Sequence, residues 1–125
     1  MKLNFDCIRA ILLLVEMNST FDDEILINYE DSFIFSNYSN AETCYHIRQC
    51  EMSGLIVGVN YFDDSIAIAD LSPKGHEFLS NIRENTFWNK TKNIASKLGT
   101  SSLNALVQIS SNIVTALIKS EFGIM

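Results

Sequence analysis

Residues 39–76 constrain the fold of this chain more than any other stretch, because helix starts, a helix stop and a turn fall there in a readable order. Ser39-Asn40-Ala41-Glu42 fits a capping box, in which the serine hydroxyl accepts from the third helical N–H and the glutamate reaches back to the serine N–H. This predicts a helix over 39–53. Gly54 supplies the left-handed position that ends it. Leu55, Val57, Val59 and Tyr61 then alternate toward an acidic tip, Phe62-Asp63-Asp64-Ser65, and Ile66 and Ile68 return the chain, which predicts a hairpin over 55–71. Ser72 as N-cap and Pro73 at the first helical position open a further helix, with Phe78, Leu79 and Ile82 as its apolar stripe.

Upstream, Ile8, Ile11, Leu12 and Val15 fall at i, i+3, i+4 and i+7, which predicts a first helix capped by Asn4 or Asp6 and ending at Asn18-Ser19. Ile25-Leu26-Ile27 reads as a short strand, and the aromatic-rich segment 30–36 as a short helix. The order predicts an α+β, mainly helical chain: a winged helix-turn-helix domain over 1–86 and a C-terminal helical extension over 87–125. Such a domain presents one helix and one β-wing, most often to the DNA major groove. On a helical wheel Thr43, Cys44, Ile47, Cys50 and Glu51 turn inward, whereas Glu42, Tyr45, His46, Gln49 and Met52 turn outward. Those five, with Arg48 and the wing-tip pair Asp63 and Asp64, are the candidate contacts to DNA or another partner.

Charge opposes the nucleic-acid reading. Residues 1–88 hold five Lys/Arg against fourteen Asp/Glu, while 89–125 hold four against one. Phosphate contact drives most DNA affinity, yet the presenting helix carries Glu42 and Glu51, and the wing tip carries two aspartates. Arg48 and Lys74 are the cations placed to touch phosphates, and Gln49 suits adenine. DNA therefore competes with a second class of partner, a basic protein surface met by an acidic module, which could also imitate nucleic acid.

Nothing in the sequence indicates catalysis. There is no P-loop, GxGxxG or GxSxG motif, and His46 and His76 lie thirty residues apart without metal-ligand spacing. The pairs Asp22-Asp23, Glu30-Asp31 and Asp63-Asp64 read as solvated turn residues. Neither a metal nor another cofactor is expected, and the chain is read as no enzyme. Cys7, Cys44 and Cys50 lack CxxC spacing and are expected on buried helix faces, in a reducing cytoplasm. The N-terminal residues do not follow a signal-peptide pattern.

In the extension, Leu103, Leu106, Val107, Ile109, Ile113, Val114, Leu117 and Ile118 form an apolar band. No charge occurs from 98 to 118, but Asn104, Gln108 and Asn112 recur every four residues as a polar row that is costly in lipid. The band is read as a bundle interface, with Leu106, Ile109, Ile113 and Leu117 as homodimer contacts, and not as a membrane span.

His46-Ile47-Arg48, Gly54-Leu55-Ile56 and Leu71-Ser72-Pro73-Lys74-Gly75 resemble the pattern of MarR-type winged-helix proteins, many of which dimerise through terminal helices. More specifically, Met1-Lys2-Leu3-Asn4, Asp6-Cys7-Ile8-Arg9, Tyr45-His46-Ile47-Arg48-Gln49, Leu71-Ser72-Pro73-Lys74-Gly75-His76-Glu77-Phe78-Leu79 and Trp88-Asn89-Lys90 resemble the bacterial and phage family called domain of unknown function 2513. That resemblance implies a small, often prophage-associated family with no assigned activity and no catalytic residues. The expected function is a non-enzymatic, DNA-binding transcriptional regulator, with the acidic protein-interaction module or inhibitor as the alternative.

Overall fold

Asn4 starts the first helix by accepting from the N–H groups of Asp6 and Cys7 at 3.0 and 3.3 Å, which satisfies donors that have no partner inside a helix. Helix α1 (Phe5–Asn18) follows and buries Cys7, Ile8, Ile11, Leu12 and Val15. The computed structural model describes residues 1–29 and 37–123. Strand β1 (Ile25–Asn28) lies where the Ile25-Leu26-Ile27 run places it, and the short helix expected at 30–36 lies outside the described residues.

Helix α2 (Asn40–Met52) carries the full capping box: Ser39 Oγ accepts from Glu42 N–H, and Glu42 Oε1 accepts from Ser39 N–H. Its end is a Schellman turn, with Gly54 at φ 74° donating to Glu51 and Leu55 donating to Cys50. Leu55 and Cys50 are both fully buried, the apolar contact that accompanies this motif.

The hairpin is broken into short strands: β2 (Ile56–Val57), β3 (Asn60–Tyr61), β4 (Ser65–Ile68) and β5 (Asp70–Leu71). They form an antiparallel sheet ordered β1-β4-β3 and a two-stranded ladder β2-β5, with Ile27 opposite Ile66 and Ile56 opposite Leu71. The break is at Gly58, where Ala69 N–H is shared between the carbonyls of Val57 and Gly58. It corrects the expected alternation. Leu55 and Ile56 are both buried while Val57 and Tyr61 are 45% and 43% exposed, because Leu55 belongs to the helix-end turn and the strand phase starts one residue later.

Ser72 caps helix α3 (Pro73–Ile82), its Oγ accepting from Gly75 N–H at 2.9 Å. Three consecutive carbonyls beyond α2 are satisfied from this turn: Ser53 by Lys74 Nζ, Gly54 by Ser72 Oγ and Leu55 by Ser72 N–H. Phe78, Leu79 and Ile82 are buried. The protein is thus α+β and mainly helical.

The chain divides into two compact units, Met1–His76 and Glu77–Met125, whereas the sequence reading divides it at 86/87. In the first unit α1 packs on α2 and β5. In the second, helix α4 (Asn85–Leu98) ends at Gly99 in the left-handed conformation, and helix α5 (Leu103–Glu121) starts where Ser102 accepts from Ala105 N–H and packs on α4. Among the described residues no helix is long and apolar enough to cross a membrane.

Candidate partner-binding surface

Helix α2 is held from its inner side by Thr43, His46, Ile47 and Cys50. His46 corrects the expectation of an outward contact: it is 1% exposed and both its ring nitrogens are used. Nε2 accepts from the backbone N–H of Asn4 at 2.8 Å, and Nδ1 lies 2.7 Å from the carbonyl of Glu42. A backbone N–H can only donate and a carbonyl can only accept, so the network assigns the proton to Nδ1. The imidazole therefore clips the cap of α1 to the first turn of α2. Thr43, His46, Ile47 and Cys50 stand at i, i+3, i+4 and i+7, a spacing that fits one buried face but does not name Asn4 as the partner of the imidazole.

The other candidates are distributed as follows. Glu42 is half-buried and committed to the capping box. Tyr45 is half-buried and meets the His46 ring edge-on at 5.2 Å between centroids. Gln49 is half-buried, Arg48 is exposed, and Met52 is 65% exposed. At the hairpin tip Asp63 and Asp64 are exposed beside Phe62, itself 52% exposed. The tip is tied back to β1, since Tyr29 N–H donates to the Asp64 carbonyl at 2.9 Å.

Tyr61 and Glu51 join the two parts of this surface, and spacing alone did not indicate it. Tyr61 Oη donates to Glu51 Oε1 at 2.9 Å, so the hairpin is hydrogen-bonded to the outer flank of α2. Burial, then the bond to Glu51 and its charge, push the Tyr61 phenol up from 10.0 to about 12, while Arg48 acts in the opposite direction. The raised value means the folded chain favours the protonated phenol. Stability from this link is complete below pH 10 and is lost as the pH rises toward 12. In a spectrophotometric titration the signal removed by Tyr61→Phe should lie near pH 12 in the parent and shift toward 10 in Glu51→Ala. An unshifted signal would show that the carboxylate does not hold the phenol.

Cationic groups are scarce on this surface. Residues 1–76 contain four Lys/Arg against twelve Asp/Glu. Arg48 acts on the Tyr61 phenol, and Lys74 Nζ donates to the Ser53 carbonyl at 3.0 Å. Burial also makes the core thiols poor nucleophiles: it is the larger cause, ahead of Glu42, of the Cys7 shift up to about 12, and it raises Cys50 as well. Cys44, expected to be buried, is only half-buried. Among the described residues no group of three or more His, Cys, Asp or Glu is placed to hold a metal ion.

In the second unit Leu106 is fully buried, and Ile109, 9% exposed, lines the groove between α4 and α5. Ile113 is half-buried and Leu117 is 44% exposed.

The chain matches the family described as Hypothetical protein (DUF2513) over residues 2–102, a span that takes in α1 to α4 and stops before α5. It is 32% identical over 122 residues to an uncharacterized protein of Haemophilus influenzae (strain ATCC 51907 / DSM 11121 / KW20 / Rd), across 94% of this chain and 99% of that protein. No solved structure matches the chain. The family model covers well over half of the sequence, including the capped α2, the hairpin and the Ser72-Pro73 helix start, and the chain belongs to the DUF2513 family.

Proposed function

We propose that the first unit is a winged-helix-type docking module, with α2 as the presenting helix and the β2–β5 hairpin as its wing, and that its partner is a basic protein surface. One observation carries the reading: Met52, Val57 and Phe62 are 65%, 45% and 52% exposed, and the carboxylates of Asp63 and Asp64 stand beside Phe62. Bare Met and aromatic side chains next to like charges suit a protein interface of opposite charge. The same carboxylates repel a phosphate backbone. In this reading the module binds and does not catalyse.

A second reading, a DNA-binding transcriptional regulator of bacterial or prophage origin, is favoured by the order of a capped helix followed by a hairpin, and by Tyr45 and Gln49 on the outer flank. Gel shifts against genomic DNA fragments at low and moderate salt, beside affinity capture of basic proteins, separate the two. The expected result is no DNA retention, and a captured basic protein whose binding weakens on adding salt. Phe62→Ala or Met52→Ala should weaken that binding about 10-fold, and reversing charge with Asp63→Lys and Asp64→Lys should abolish it. Salt-sensitive DNA retention that drops in Gln49→Ala would establish the second reading instead.

A further inference from the structure

We propose that the groove between α4 and α5 receives the α5 of a second copy of this chain, closing two helical hairpins into a four-helix bundle. This is independent of the docking surface on the first unit. Helix α5 packs on α4, with Leu106 fully buried and Ile109 at the inner end of the groove. Beyond them the groove opens to about 570 Å³, walled by Phe87, Ile94, Leu98, Ile113 and Leu117. Helix α5 runs for 19 residues against 14 for α4, and its last turns carry Leu117, Ile118 and Phe122 at 44%, 52% and 76% exposure. The unit therefore offers both an apolar hollow and an apolar projection. A two-fold contact needs that pairing, because each copy's projection must fill the other's hollow.

Area and charge select this occupant. Leu98, at 69% exposure, and Leu117 on the groove walls, with Ile118 and Phe122 on the projecting end, leave on the order of 500 Å² of apolar side chain uncovered, more than half of the ~800 Å² per partner of a stable dimer. No charged residue occurs from 98 to 118, and Lys90 is the one charge among the groove walls. In an isologous contact the same patch is used by both copies, so a patch carrying charge of one sign repels its copy while a neutral apolar one associates. Asn104 and Gln108 lie off the groove walls, and the one amide that lines the groove, Asn112, is already engaged, its Oδ1 accepting from Gln108 Nε2 at 3.1 Å.

Sedimentation equilibrium of the full chain tests this. The expected mass is twice 14.1 kDa at tens of micromolar, with a melting temperature that rises with concentration. Leu117→Glu and, separately, Ile118→Glu should each return the mass to 14.1 kDa with an unchanged far-ultraviolet circular dichroism spectrum, since both side chains are exposed. Asn104→Glu, on the polar row, should stay dimeric. A parent chain that remains at 14.1 kDa at about 100 μM overturns the proposal, as does a dimer unaffected by both substitutions. A monomer that instead sediments with phosphatidylcholine vesicles would give the groove to lipid and likewise overturn self-association.

Discussion

Gly75→Ala is expected to destabilise the protein, although alanine is the better helix former. Gly75 lies in the first turn of α3, where the gain in helix propensity is about 1 kcal/mol. An added Cβ would stand 2.0 Å from the Leu55 carbonyl oxygen and 3.0 Å from its carbon. That oxygen cannot yield, because it accepts from Ser72 N–H, and the preceding carbonyls of Ser53 and Gly54 are bound by Lys74 and Ser72. Relief requires separating α3 from the end of α2, an overpacking cost of about 3 kcal/mol that exceeds the propensity gain. The net loss of about 2 kcal/mol should lower the melting temperature by roughly 8 °C. Ser80→Ala, exposed on the same helix, should be neutral or slightly stabilising. Equal melting temperatures for Gly75→Ala and the parent would show that the close approach to Leu55 does not exist.

His46→Ala should cost more. The substitution leaves the Asn4 N–H without its acceptor and the Glu42 carbonyl without its ring donor, and it opens a cavity at a residue 1% exposed. Unsatisfied polar groups and a cavity together predict a loss of about 3 kcal/mol, read as a lower urea midpoint. Hydrogen exchange gives an independent measurement: the Asn4 amide should be protected in the parent and exchange freely in the variant. Arg48→Ala, an exposed change on the same helix, should alter stability by less than about 0.5 kcal/mol. If His46→Ala matched it, the imidazole would be an outward group after all, as the helical wheel suggested.

The residues in and around α2 differ in how legible they are from sequence. Ser39 and Glu42 declare the start of α2 because a capping box is closed within four consecutive residues, and the Gly54 stop is equally local. His46 sits on the boundary of the apolar arc, where a wheel built on hydrophobicity assigns it to solvent. Its burial depends on Asn4, forty-two residues away, presenting a backbone donor at that point. Glu51 falls on the inward arc of the wheel and Tyr61 in the alternating series from Leu55, yet the phase of the hairpin is reset by the turn at Leu55 and the break at Gly58. Helix α4 lacked a side-chain cap at Glu84, and its buried face is Trp88, Thr91 and Ala95, too mixed a stripe to stand out as a separate helix.

The sequence by itself determined where α1, α2 and α3 begin or end, because caps and a glycine stop encode hydrogen bonds that close within a few residues, and Pro73 at the first helical position fixes φ where no donor is needed. It also determined the acidic character of the first unit. Only the tertiary structure decided that His46 clips α1 to α2, that Glu51 and Tyr61 join helix to hairpin, and that Leu106 is fully buried while Leu117 and Ile118 face out. Those outcomes depend on which distant backbone group or helix occupies the space opposite each side chain, and no periodicity along one element carries that information.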